Sequence, residues 1–194
     1  MMEEDMSDKD AFADRRRTQE EDYFRKREQE LIANMRRRAA DEANRQRITE
    51  VTGIADEALL QELQALGYTP ETVALLQLGP LVQVAWVDGG VSDRERDLIV
   101  EAARSRAIEE GSEADRQLAE WLATRPSDEA FSTALRAIKA MLQGRPPDER
   151  EATRRDLLSS CTDIASASGG VLGFRKVSEE ERELLARIDR ELED

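Results

Sequence analysis

Three acidic side chains surround a double-glycine turn in the segment VAWVDGGVSDRERDLI, residues 84–99. Asp88 precedes the two glycines, and Asp93 and Glu95 follow them at the start of a charged stretch. Carboxylate oxygens are the ligands that hard divalent cations such as Ca²⁺ prefer in proteins. The types and spacing of these residues therefore make a divalent-cation site one hypothesis for this turn.

The order Asp-Gly-x-hydrophobic-Ser-x-x-Glu matches the second half of a calcium-binding EF-hand loop. The first half is absent, because Val84 and Trp86 stand where that loop needs acidic ligands. A complete EF-hand is therefore excluded. A looser site that combines Asp88, Asp93 or Glu95 with carboxylates from elsewhere in the chain stays open.

A capping interpretation needs no ligand and is favoured. Ser92 and Glu95 form the Ser-x-x-Glu pattern of a capping box, in which each side chain accepts a hydrogen bond from the other residue's backbone amide. The double glycine before them can supply the positive φ that ends a helix. The segment therefore predicts a helix end, a tight turn and a strongly capped helix start.

The turn has a second copy later in the chain. The sequences IASASGG and VSEEERELL, residues 164–170 and 177–185, repeat it around the insertion VLGFRK. Each copy joins an apolar helix to a charged one, which predicts an internal two-fold duplication of a helix-turn-helix unit. Ser168 stands where the first copy has Asp88, so the second copy lacks one oxygen ligand.

Composition removes most catalytic chemistries. The chain has no histidine, which excludes histidine-dependent nucleophile activation and histidine-ligated zinc. Its single cysteine, Cys161, excludes a disulfide framework within the chain, and neither Gly-rich phosphate-binding motif occurs. The net charge of -14 argues against binding to nucleic acid. We expect a protein that is not an enzyme and requires no cofactor, with a divalent cation as the one candidate.

Apolar and polar residues are distributed in three regions. Residues 1–50 form a charged arm without glycine or proline, which predicts one long helix. The pattern of residues 51–69 predicts a short helix and a linker. Residues 70–194 carry dense apolar runs separated by glycine and proline. No stretch alternates like a strand, so the fold class is all-α, a compact helical bundle preceded by a long helix. Helices are predicted over residues 92–107, 112–124, 127–143 and 147–168 and from 178 onward. We expect residues 70–194 to fold alone.

The N-terminal sequence and the hydropathy of the chain predict the cellular location of the protein. The N-terminal sequence MMEEDMSDKD lacks the apolar run of a signal peptide. No run of apolar residues is long enough to span a bilayer. We therefore expect a soluble, cytoplasmic protein with no transmembrane segment.

The segment around the first turn resembles the signature of the tellurite-resistance TerB family, which includes the N-terminal domain of a membrane-anchored co-chaperone. The resemblance covers about residues 70–192. The matching residues are Ala85, Asp88, Gly89, Val91 and Glu95, with a degenerate second motif at Ala165, Gly169 and Glu181. It implies an all-α bundle with no known catalysis, a stress-associated or scaffold-type role, and acidic residues that hold divalent cations in some members.

The arm resembles a different family. The sequence FADRRRTQEEDYFRKREQELIANMRR, residues 12–37, is similar to the inhibitory segment of the mitochondrial ATP synthase inhibitor protein. The matching residues are Phe12, Arg15, Glu20, Glu21, Tyr23, Phe24, Arg25 and Glu30. The resemblance implies that these residues contact a rotary F-type ATPase. The histidine-dependent pH switch of that family is missing here, and a folded domain replaces its coiled-coil tail.

The arm also has a simpler interpretation. Phe24, Leu31 and Met35 lie on one narrow stripe of an otherwise charged helix, which favours a solvated helix that shows one apolar edge to a partner. The sequence therefore predicts a non-enzymatic helical interaction or regulatory protein that binds a protein partner through residues 12–38. Inhibition of a rotary ATPase through the same helix is the alternative.

Overall fold

The computed structural model describes residues 4–167 and 177–193, and the side chains of residues 23–167 and 177–193. Within these ranges the secondary structure is entirely helical, which confirms the predicted all-α fold. The helices are α1 Glu4–Thr52, α2 Glu57–Ala65, a 3₁₀ helix Val73–Leu78, α3 Gly79–Ala85, α4 Asp93–Ser105, α5 Glu113–Ala123, α6 Asp128–Gln143, α7 Pro147–Ala167 and α8 Glu179–Glu193. None of the helices in the described ranges has a stretch long and apolar enough to cross a bilayer.

The chain divides into two units, Met1–Ala43 and Asn44–Asp194. The long predicted N-terminal helix is present as α1, which provides the whole described part of the first unit and the first residues of the second. The sequence predicts a short helix and linker over residues 51–69 and a folded domain over residues 70–194. The structure instead begins the second unit at Asn44.

The core of the second unit explains this earlier boundary. Ile48, near the C-terminal end of α1, is fully buried, and so is Ile54 in the connection that follows. Helix α2 packs on α6 and buries three leucines. These residues belong to the same hydrophobic cluster as the residues of α3 to α8. The segment before residue 70 is therefore part of the folded core.

The centre of the second unit is the apolar run from Val73 to Ala85. It forms the 3₁₀ helix and then α3, and α3 packs against both α6 and α7. Pro80 explains the change of helix type, because its ring clashes with the carbonyl four residues earlier in a continuous α-helix. The glycine-proline pair in the sequence predicts a break or kink in this apolar run, and the junction of the two helices falls there.

At Gly79, α3 lies close against α6. A Cβ atom added to Gly79 would lie 3.0 Å from the Cβ of Ala134 on α6. Carbon atoms in good contact lie about 3.5–4.0 Å apart. Because both Cβ positions are fixed by helical backbone, a larger residue at position 79 would force the two helices apart.

Gly79→Ala should therefore lower the free energy of unfolding by about 1 kcal/mol. Overpacking costs about 1–3 kcal/mol, and the better helix propensity of alanine returns up to about 1 kcal/mol. Urea denaturation would measure the change. Gly90→Ala is the matched control, because its Cβ would meet nothing within 4 Å. Equal stability of the two variants would contradict the close packing at Gly79.

Candidate functional site

The turn between α3 and α4 contains the predicted capping box. Gly89 has a φ of 86° and turns the chain after α3. The Ser92 Oγ accepts a hydrogen bond from the Glu95 amide at 3.3 Å, and the Glu95 Oε2 accepts one from the Ser92 amide at 2.8 Å. The Ser92 hydroxyl also donates to that Oε2 at 2.7 Å. The Glu95 Oε2 therefore already accepts two hydrogen bonds from Ser92 within the capping box.

A second capping box begins α8. The Ser178 amide donates to the Glu181 Oε2 at 2.7 Å, and the Glu181 amide donates to the Ser178 Oγ at 3.1 Å. Ala165, the other described residue of the second motif, is fully buried. Ser168 and Gly169 lie outside the described residues. The described parts of both motifs thus have the local geometry that the Ser-x-x-Glu pattern predicts.

Both capping glutamates are buried, which the sequence did not indicate. Glu95 is 2% exposed and Glu181 is 1% exposed, and they are the only buried charged residues in the described ranges. Charged side chains are rarely buried to this degree without a partner. The negative charge of the Glu181 carboxylate also repels that of the Glu95 carboxylate. Repetition of Ser-x-x-Glu was the only sequence signal for this pairing.

Burial determines the protonation behaviour of Glu95. Loss of hydration raises the pKa of the Glu95 carboxyl, the hydrogen bonds from Ser92 oppose this, and the nearby negative charges of Glu181 and Asp88 raise it further. A raised pKa means that the folded protein binds this proton more tightly than the unfolded chain. The resulting stabilisation is fully present below the ordinary pKa of 4.5 and is lost as pH rises through the raised value.

Glu95→Gln should therefore flatten the dependence of stability on pH. Glutamine keeps an oxygen for the capping box without the buried charge, so the variant should be at least as stable as the wild type above the titration of Glu95. Glu95→Ala, the control that loses the box, should cost about 0.5–2 kcal/mol. Urea denaturation on both sides of that titration would test this, and a Glu95→Gln variant as unstable as Glu95→Ala would contradict it.

The predicted cation ligands have different surroundings. Asp88 and Asp93 are exposed, whereas Glu95 is buried and hydrogen-bonded to Ser92. No group of three or more acidic, cysteine or histidine side chains placed to hold a metal ion occurs among the described residues. These residues therefore do not fit a ready-made cation site, and cation binding at this turn stays a prediction.

Calcium titration of Asp88→Asn would test that prediction. If Asp88 is only a turn residue, the variant should have the melting temperature of the wild type with and without calcium, because its carboxylate is exposed. A calcium-dependent rise in the wild-type melting temperature that is absent from Asp88→Asn would show a binding site, since a ligand stabilises only a state that binds it.

The first unit carries a row of exposed apolar side chains. We name Tyr23, Phe24, Leu31, Ile32 and Met35 the apolar edge. Their exposed fractions are 58%, 66%, 60%, 41% and 63%. Phe24, Leu31 and Met35 share one helical stripe, and Tyr23 and Ile32 flank it on opposite sides. Large apolar side chains grouped in this way on a charged helix mark a candidate interaction surface.

Two aromatic rings lead this edge. The rings of Tyr23 and Phe24 pack edge to face, with centroids 5.9 Å apart, and Arg27 donates a hydrogen bond to the Tyr23 hydroxyl at 3.1 Å. Arg25 and Glu30, two further predicted binding residues, are also exposed. The side chains of the remaining predicted binding residues lie outside the described residues; these are Phe12, Arg15, Glu20 and Glu21.

Comparison with known proteins does not assign a family. The chain matches no family model, no curated protein and no solved structure. The apolar edge and the buried capping glutamates are therefore the observations on which a function can be based.

Proposed function

We propose that this chain is a non-catalytic interaction protein that binds a protein partner through the apolar edge of α1. The exposure of Tyr23 and Phe24 carries this proposal. Transfer of an aromatic side chain out of water lowers the free energy of the system. Two adjacent exposed rings therefore do not stabilise a helix that stays solvated. A helix that lies in the apolar groove of a partner buries them.

The partner is a different protein rather than a second copy of this chain. A coiled-coil seam needs apolar residues at both of its repeating positions. With Phe24 and Leu31 at one of them, the other is filled by Arg27 or by Glu28. Self-pairing would therefore bury a charge, whereas a partner groove that covers only the narrow edge leaves those charges in water.

The state of Cys161 supports a role without catalysis. Its side chain is fully buried, and burial raises the pKa of the thiol to about 12. A thiol with this pKa is protonated at neutral pH and is a poor nucleophile. Together with the absence of histidine from the sequence, this leaves no activated nucleophile of the usual cysteine type.

The second unit is proposed to be a TerB-like domain in a cytoplasmic, stress-associated or scaffold-type protein. Support comes from the two capping boxes, whose buried glutamates lie at the positions that the resemblance pairs. In this proposal the domain is the stable body, and α1 carries the binding surface.

Affinity capture with the full chain and with residues 44–194 would test the proposal. The full chain should retain a partner that the shorter chain does not, and the isolated complex should contain that partner in a fixed ratio. A fragment of residues 44–194 that captures the same partner equally well would remove the apolar edge from the function. Self-association of the full chain through α1 in sedimentation experiments would also overturn it.

Inhibition of a rotary ATPase is a second candidate for the same helix. The exposed aromatic pair favours it, because the resemblance to the inhibitor protein places its buried anchor at Tyr23 and Phe24. A peptide spanning residues 12–38 should slow ATP hydrolysis by the rotary ATPase of the same organism. Because the chain has no histidine, the inhibition should lack a transition near pH ~6.5. An inactive peptide would exclude this candidate and leave the interaction proposal in place.

A further inference from the structure

A cavity of about 370 Å³ lies in the second unit, where the C-terminal ends of α4 and α6 meet the first half of α7. Its apolar wall consists of Ile138, Met141, Leu142 and Leu157. Cavities that hold small molecules commonly have volumes of about 300–1,000 Å³, with mostly apolar walls and a few polar groups. The size and the wall both fit a small ligand with an apolar part.

Two guanidinium groups border the apolar wall. Arg106 is the C-cap residue of α4 and lines the cavity. Its Nη1 donates hydrogen bonds to the carbonyl of Ala102 at 2.9 Å and to the Ser105 Oγ at 3.4 Å. These bonds hold its guanidinium at the rim. Arg145 follows the α6 cap, and its side chain makes no hydrogen bond or ion pair with any residue that the structure describes. Arg145 is thus the cation that a ligand would meet without displacing a partner.

The local charge selects the class of ligand. Two arginines and one acidic residue, Asp156, give the lining a net charge of +1 on a chain with a net charge of -14. A single carboxylate can form two parallel hydrogen bonds with a guanidinium. The carboxylate of Asp156 would repel a second negative charge, which disfavours a doubly charged phosphate ester. The chemistry therefore fits a monocarboxylate.

Volume alone does not distinguish this cavity, because three others in the same unit have volumes of about 350–370 Å³. Each of their linings contains four charged residues, against three in the first, and the lining with Trp86 and Val87 contains Glu180, Glu183 and two arginines. Of these four linings, only the first has a net positive charge, because the second and fourth are neutral and the third has a net charge of -2.

We propose that this cavity binds a medium-chain monocarboxylate. Arg145 binds the carboxylate, Arg106 assists it, and the alkyl chain lies on Met141, Leu142 and their apolar neighbours. The proposal does not depend on the partner of α1.

Titration calorimetry of the full chain with decanoate, below its micelle concentration, would test the proposal. Decanoate should bind, while decanol and decyltrimethylammonium should bind at least about 10-fold more weakly, because a hydrogen bond to a charged group contributes about 1.5–3 kcal/mol. Arg145→Gln should weaken decanoate binding by a similar factor. Arg94→Gln is the matched control, since Arg94 is an exposed arginine on α4 that does not line the cavity.

Three results with the wild type and the arginine variants would overturn the proposal. They are the absence of decanoate binding to the folded wild type, equal binding of decanol, and equal binding by the Arg145→Gln and Arg94→Gln variants. Met141→Gln separates a cavity from a simple surface charge, because it places a polar group in the apolar wall. Unchanged decanoate affinity in that variant would also contradict the site. The thermal stability of each variant, measured without ligand, shows that it is folded.

Discussion

Residues 44–194 produced alone should fold cooperatively, and a fragment that begins at residue 70 should not. The shorter fragment loses the buried ring of Tyr68 and five large aliphatic side chains from the core, which are Ile48, Ile54, Leu59, Leu60 and Leu63. Truncation of one such side chain to alanine typically costs about 2–5 kcal/mol. Even at the lower limit, five losses amount to about 10 kcal/mol, which is comparable to the whole stability of a domain.

Circular dichroism and urea denaturation of the two fragments would measure this difference. Within residues 44–194, Leu63→Ala should cost about 2–5 kcal/mol, because Leu63 is fully buried, and Val51→Ala should be close to neutral, because Val51 is 65% exposed. A fragment of residues 70–194 with the same cooperative unfolding transition as residues 44–194 would show that the early segment adds little to the core.

Tyr23→Ala combined with Phe24→Ala should weaken binding of the α1 partner by about 30-fold or more. Aromatic anchors at the centre of an interface often contribute 2 kcal/mol or more, and about 1.4 kcal/mol corresponds to a tenfold change in affinity. The stability of the second unit should not change, because both rings are exposed and belong to the first unit. The dissociation constant of the captured partner, measured with the full chain, is the readout.

A double substitution of charged residues gives the matched control. Lys26→Ala with Arg36→Ala changes two exposed side chains that lie outside the apolar edge on the same helix and keeps a good helix former at both positions. This variant should bind the partner with nearly the wild-type affinity. If both double variants lose affinity equally, the charge of the helix rather than its apolar edge determines binding.

The sequence by itself determined the features that depend on short-range interactions. Glycine, proline and Ser-x-x-Glu patterns act within one turn of helix, so the observed helices α4 to α8 begin and end close to the predicted positions. The all-α fold class and the capping role of Ser92 and Glu95 could be predicted for the same reason. The sequence also predicts that the apolar run after residue 70 is broken or kinked at Gly79-Pro80, and the structure divides the run there into a 3₁₀ helix and α3.

Only the tertiary structure decided which of these local features are buried and which side chains meet. A capping glutamate on a surface helix and one inside a core have the same sequence pattern. The burial and mutual repulsion of Glu95 and Glu181 therefore depend on how α4 and α8 each pack against the other helices of the second unit. Ile48 also belongs to the core only because residues far apart in the chain pack around it. The cavity beside Arg106 and Arg145 forms in the same way. Periodicity describes the face of one helix, but it does not specify which other helix covers that face.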